Sequence, residues 1–199
     1  MTPWKPLTFT AALGAAIALS APAFAGGHIT WKSVPDQSII AFGSVKKDTI
    51  GEVHHFNSVS GEINEAGEIT LTIDLASLET NIDIRNERMM EHVFQKGSAT
   101  ATVTGELDMD DVSDLAIGDV DTVDIEATLA FAGTELEVEA EMLVARLTEN
   151  RVLVTSADFM MISTEDLGIN AGVDMLQKLA KLPGITRVTP ISVRMVFEK

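Results

Sequence analysis

The stretch that decides the fold is VDIEATLAFAGTELEVEAEM, residues 123–142. Val123, Ile125, Ala127 and Leu129 interleave with Asp124, Glu126 and Thr128. Past Ala132-Gly133, Leu136, Val138, Ala140 and Met142 interleave with Glu135, Glu137, Glu139 and Glu141. A period of two is the side-chain period of a strand, so each half offers one face to a core and one to water. With Ala132-Gly133 as a two-residue loop the halves form a hairpin. That register sets Leu129 opposite Leu136, Ala127 opposite Val138, Ile125 opposite Ala140 and Val123 opposite Met142. All the apolar side chains then share one face, which is what specifies a register. The same pairing sets Glu126 against Glu139 and Asp124 against Glu141. Like charges placed directly opposite cost from a few tenths to about 1 kcal/mol.

The same alternation recurs outward from the hairpin. Ile69, Leu71, Ile73 and Leu75 alternate with Thr70, Thr72 and Asp74, and Ile191, Val193, Met195 and Phe197 form another apolar row. Further strands are expected near residues 29–34, 38–45, 54–63, 98–107, 151–156 and 187–197, with Asn64-Glu65-Ala66-Gly67 turning 54–63 into 68–75. Residues 81–95 break the alternation, with Ile84, Arg88, Glu91 and Gln95 at helical spacing beside Met89, Met90, Val93 and Phe94. Residues 173–182 are amphipathic, with Met175, Leu176, Leu179 and Leu182 as the apolar stripe and Pro183-Gly184 as the stop. The acidic stretch 108–119 reads as a loop. Many short strands with one or two short helices make a mainly β chain, a sandwich or a barrel.

The first 25 residues read as a secretory signal. Lys5 precedes an apolar run from Leu7 to Leu19, and Ala23-Phe24-Ala25 is an A-x-A cleavage site. The run is shorter than the roughly 20 apolar residues of a spanning helix. Residues 26–199 are expected to form one domain, in an exported, periplasmic protein. The chain has no Cys, and its formal net charge is −16. Such a surface repels nucleic acid and anionic headgroups, which argues against nucleic-acid partners and stable membrane insertion.

Residues 71–89, LTIDLASLETNIDIRNERM, carry a resemblance. The Ala76-Ser77-Leu78-Glu79-Thr80 turn, followed at fixed spacing by Arg85, resembles the mark of the YceI-like family. Trp31 with Ser38 and Phe42 is similar to the family's opening strand, Gly61-x-Ile63 and Gly67-x-Ile69 to its next hairpin, and Gly133 to a later turn. The stretch LGINAGVDMLQKLAKLPGI, residues 167–185, is similar to a branch with an inserted helix. Gln37 stands where the family has His, Asn86 where it has Asp, Arg88 where it has a second His and Met89 where it has Leu. If the family's Arg–Asp pair orders the helix, Asn86 weakens that link.

The resemblance implies an antiparallel, lipocalin-like barrel of about eight strands, whose lumen is wide enough for one slim ligand. It implies an exported protein that holds a long-chain isoprenoid, a polyprenyl chain or a quinone-like lipid, as carrier or reservoir. The expected lumen residues are Phe42, Phe56, Leu71, Ile73, Met89, Phe94, Ala127, Leu129, Phe131, Val138, Met142, Phe159, Val193 and Met195, with Met90, Met160 and Met161 as further flexible fillers. For each residue the plainer alternative is core packing. Arg85 reads as a buried partner of a carboxylate or as the anchor of a ligand's polar head. A homodimer and transient contact with membrane proteins stay open.

Other chemistry is thinly represented. His54 and His55 are adjacent, so on a strand they face opposite ways and make a poor metal pair. His28 and His92 lack partners at ligand spacing, and the 108–119 loop lacks the glycine and terminal glutamate of an EF-hand. No G-x-S-x-G occurs, and no Ser/His/Asp grouping stands out. No metal or cofactor is expected. Two other functions keep a place: an acidic interaction module without lipid, and, ranked last, an enzyme acting on a lipid.

Overall fold

The computed structural model describes residues 29–94 and 99–199; the expected signal segment lies outside them. In chain order the first elements are β1 (Ile29–Ser33), β2 (Ile39–Lys46), β3 (Ile50–Phe56), β4 (Val59–Asn64), β5 (Glu68–Asp74), β6 (Leu78–Glu79) and helix α1 (Asp83–His92). Then come β7 (Thr100–Glu106), the single turn α2 (Asp110–Ser113), β8 (Val120–Phe131), β9 (Thr134–Thr148), β10 (Arg151–Ser156), β11 (Met160–Ser163), α3 (Asn170–Leu179) and β12 (Val188–Glu198). Every pairing is antiparallel. The ring β1-β4-β5-β7-β8-β9-β10-β12 closes on itself because β12 pairs with β1. This is an eight-stranded barrel. Its last strand then changes partners. Arg194–Glu198 pair with β10, while residues nearer the start of β12 pair with β2 and β11. Strands β2, β3 and β6 thereby extend the sheet from β12.

The β8–β9 hairpin has the register read from its sequence, with Leu129 opposite Leu136 and Val123 opposite Met142. Ala132 and Gly133 both adopt positive φ, 50° and 84°. Two left-handed residues in a two-residue loop match the twist of the flanking strands.

Three expectations need correction. The single strand expected over 54–63 is two strands, β3 and β4. Asn57 and Ser58 turn away between them because their N–H groups donate to the carbonyl and hydroxyl of Ser77. The acidic stretch contains α2, so the described residues hold three α-helices where one or two were expected. The helix expected at 173–182 begins at Asn170 and stops at Leu179. Its end is a Schellman motif. Lys181 sits at φ 51°, its N–H donates to Lys178, and the Leu182 N–H reaches back to Gln177. The stop therefore precedes Pro183-Gly184. The other long helix, α1, is shorter at its start than the 81–95 span, and residues 95–98 lie outside the described ones.

The barrel's inner face and the helices share one core. Leu75, Met195, Val59 and Ala101 are almost wholly buried there, and Phe94 docks α1's end onto them. Gly172 lets α3 cross α1. A Cβ at this position would stand 2.4 Å from the His92 carbonyl oxygen and 2.9 Å from the Val93 Cα. The two helices lie together over one end of the barrel, since both contribute to the wall of the cavity described next.

Candidate functional site: an apolar cavity with a polar end

The inward-facing rows enclose a cavity of about 740 Å³. Strand alternation builds its wall. Val123, Ile125, Ala127, Leu129 and Phe131 come from β8, Val138, Ala140, Met142 and Val144 from β9, and Ile191, Val193, Met195 and Phe197 from β12. Ile69, Leu71 and Ile73 of β5, Ala101 and Val103 of β7, and Val152 and Val154 of β10 also line it. Four aromatic rings follow one another along it. Phe42 stacks on Phe56 at 5.4 Å, Phe56 meets Phe94 at 6.0 Å, and Phe94 meets Phe131 edge-on at 5.6 Å.

Of the fourteen residues expected in the lumen, the structure places thirteen on this wall: Phe42, Phe56, Leu71, Ile73, Met89, Phe94, Ala127, Leu129, Phe131, Val138, Met142, Val193 and Met195. Phe159 is the exception, on the outside and 69% exposed. Pairing explains this. Met161 lies opposite Pro190 and Ile162 opposite Thr189. Met160 and Ile162 then point inward, which turns Met161, 62% exposed, and Phe159 outward. Met90 packs against the core from α1 without lining the cavity. The apolar stripe of α3 is also turned. Val173, Leu176 and Ala180 face the cavity, whereas Met175 and Leu179 are exposed.

Polarity rises along the β2–β3 hairpin. Ile40 pairs with Phe56, Phe42 with His54, and Ser44 with Glu52, and Lys46 comes next. All seven of these side chains line the cavity. Glu52 lies at the centre of the polar end. It accepts from Lys46 Nζ at 2.8 Å and from Arg85 Nη1 at 2.7 Å. Burial alone would raise its pKa, but the two cationic donors outweigh that and hold Glu52 below the usual carboxylate range. Arg85 also donates through Nη2 to the Thr80 carbonyl at 2.5 Å, which ties α1 to the turn before it.

Of the two readings of Arg85, the structure shows the carboxylate partner, and that partner is Glu52. Asn86 has a separate task. Its Oδ1 accepts from the Thr80 N–H at 3.0 Å and from the Thr80 hydroxyl at 2.5 Å. The departure from Asp therefore leaves the helix start well tied.

His54 is 2% exposed, with Nε2 hydrogen-bonded to Ser44 Oγ at 3.0 Å and the ring 5.1 Å from Phe42. Burial, with Arg85 nearby, depresses its pKa to about 4. His55 faces the other way, opposite Glu79, as adjacency in a strand requires. At the far end of the cavity Trp31 lies beneath two cations, Lys199 at 5.3 Å and Arg146 at 5.9 Å.

The charge selection on the wall is strong. The chain has 30 Asp and Glu residues and 14 Lys and Arg. Yet among the described residues Lys46, Lys47, Arg85, Arg88, Arg146 and Lys199 line the cavity with Glu52 as their sole acidic companion. Reasoning from the sequence missed Ser44, Lys46 and Glu52 as cavity residues. Their signal was present as the continued inward phase of Ile40 and Phe42 on β2 and of Phe56 and His54 on β3, obscured by the change from apolar to polar side chains. Chemically the site is a long oily chamber with a cation-rich, hydrogen-bonded end.

A family model described as YceI-like domain matches residues 31–196. Among solved structures, a polyisoprenoid binding domain from Saccharophagus degradans, implicated in plant cell wall breakdown, superposes with a TM-score of 0.82 at 34% identity. The match covers 85% of this chain and 98% of that one. BcnA from Burkholderia cenocepacia superposes with a TM-score of 0.62 over 82% of this chain and 98% of its own. At 14% identity that likeness speaks for the fold alone. No curated protein matches the chain.

Proposed function

The chain belongs to the YceI-like domain family, and from that premise we propose that it binds a long-chain isoprenoid lipid, a polyprenyl chain or an isoprenoid quinone, inside the barrel. The observation that carries this reading is the wall itself: a cavity of about 740 Å³ faced by alternate apolar side chains from nearly every strand of the ring. The 34%-identical relative described as a polyisoprenoid binding domain supports it.

An isoprenoid tail has no polar group to satisfy, so such a wall needs only shape and apolarity. At about 0.8 kcal/mol per buried carbon unit, a tail of several dozen carbons would nominally gain on the order of 30 kcal/mol. Measured affinities saturate near roughly 18–21 kcal/mol. Ordering the flexible tail consumes the difference, so length and fit govern selectivity. The methionines on the wall, Met89, Met109, Met142, Met160 and Met195, adapt to such contents.

We read the protein as an exported carrier or reservoir and not as an enzyme. Glu52, the carboxylate on the wall, is already committed to Arg85 and Lys46. Export rests on residues 1–25 and predicts a mature chain beginning at Gly26. The test is mass spectrometry of solvent extracts from the purified protein, followed by uptake of added polyprenol and quinone. About one long-chain isoprenoid per chain is expected. Protein that is repeatedly empty and takes up neither lipid overturns the reading.

A further inference from the structure

We infer that the helix-flanked rim of the cavity is a docking surface for a lipid bilayer carrying anionic headgroups, the route by which the chamber is filled and emptied. The inference deepens the isoprenoid reading and rests on it for its purpose, though its test does not. A lipid tail enters water only at great cost, so a carrier gains by opening its chamber directly onto a membrane.

The opening is located by side chains that are both lining and exposed. Ile82 and Ile84, at the start of α1, face the cavity yet are 41% and 50% exposed. Across from them the connection after α3 brings Leu182 and Ile185 to the wall, and Ile185 bridges to Lys46 at the end of β2. Around the same rim Ile50, Met175 and Leu179 are exposed without lining the cavity. Soluble surfaces scatter such residues singly; gathered at the mouth of a lipid chamber they make an apolar collar.

Charge orients that collar. The rim segments, residues 45–52, 81–89 and 174–187, hold seven cations against five carboxylates. Of those carboxylates, Glu52 is held by Lys46 and Arg85, and Asp174 by Arg187 at 2.5 Å. The rest of the chain carries the whole acidic excess behind the net charge of −16. A negatively charged bilayer therefore attracts one end of the molecule and repels the remainder, so it presents the opening to the surface. Two rim turns place lysines, Lys47 at φ 52° and Lys181 at φ 51°, in the left-handed backbone that glycine adopts with least strain.

The test is flotation of the purified protein with vesicles of phosphatidylcholine, with and without phosphatidylglycerol. The expected result is binding that rises with phosphatidylglycerol, falls in high salt, and drops several-fold in Ile50→Ser, Leu179→Ser and Lys178→Glu. Val120→Ser, an exposed apolar change outside the rim, should leave it unchanged. None of these four side chains lines the cavity, so uptake of polyprenol from detergent, measured in parallel, reports separately on the isoprenoid reading. Absence of vesicle binding, or an equal loss in Val120→Ser, overturns the inference whatever the detergent result.

Discussion

Glu126 stands directly opposite Glu139 on the outer face of the β8–β9 hairpin, and Asp124 likewise opposes Glu141. These side chains are exposed, so solvent screens their repulsion without abolishing it. Glu139→Lys should turn one repulsive pair into an attractive one and stabilise the protein by roughly 0.3–1 kcal/mol at low ionic strength. Urea denaturation at low and at molar salt checks this. The gain should shrink in salt, and a variant no more stable than the parent at low salt contradicts the argument.

This acidic ladder was legible because two facts in the sequence, strict alternation and a two-residue Ala132-Gly133 loop, determine every partner along the hairpin. The strand residues among the thirteen that line the cavity were legible for the same reason, since alternation names a face. Where alternation stops, legibility stops too. Phe159 precedes β11, whose phase is set by pairing with β12 at long sequence distance. Met175 and Leu179 belong to a helix whose rotation is set by Gly172 against α1. The polar end required knowing that Arg85 on α1 meets Glu52 on β3, a contact no local pattern contains.

The α1–α3 crossing should be intolerant of a single methyl. At Gly172 an added Cβ meets backbone atoms of His92 and Val93, which cannot rotate aside. Gly172→Ala should cost about 1–3 kcal/mol through forced separation of the helices. Gly51→Ala, where a Cβ meets nothing within 4 Å, is the matched control and should change stability by less than about 0.5 kcal/mol. Thermal melts of the two variants decide the matter, and equal melting temperatures would refute the crossing as the cause.

Arg85 joins α1 to β3 through Glu52 and to the preceding turn through the Thr80 carbonyl. Arg85→Met should remove both ties while leaving Glu52 on Lys46, at a cost of about 1–3 kcal/mol. Arg85→Lys should restore little, because one ammonium cannot reproduce the guanidinium fork that reaches both acceptors. Amide hydrogen exchange along 83–89 is the sensitive readout. Unchanged protection in Arg85→Met would show that α1 is held by its apolar contacts alone.

Ala127 is buried on the cavity wall midway along β8, opposite Val138. Ala127→Trp fills chamber volume instead of crowding a closed core, so the chain should stay folded while its lipid content falls. Extracted lipid per mole of protein, read beside circular dichroism, tests this. A folded variant with undiminished lipid would place the ligand elsewhere.

His54 should make stability depend on pH in a window of its own. Its pKa falls from 6.5 in the unfolded chain to about 4 in the fold, chiefly through burial. Above pH 6.5 both states hold a neutral imidazole, and His54 makes no pH-dependent contribution. Below it the unfolded state takes up the proton first, so stability declines as pH falls toward 4. The loss should reach on the order of 2–3 kcal/mol by pH 4.5. Glu52 acts in a different window. Its folded pKa lies below the ordinary value of 4.5, so its contribution is intact above 4.5 and fades only as pH drops further. His54→Gln keeps a polar group beside Ser44 and cannot be protonated. Relief of the general acidic repulsion affects parent and variant alike and cancels in their difference. The parent's urea midpoint minus the variant's should therefore be constant above pH 7 and fall steadily between pH 6.5 and 4.5. Parallel curves across that range would mean that His54 is protonated in the fold and that the cavity's polar end is wetter than its geometry indicates.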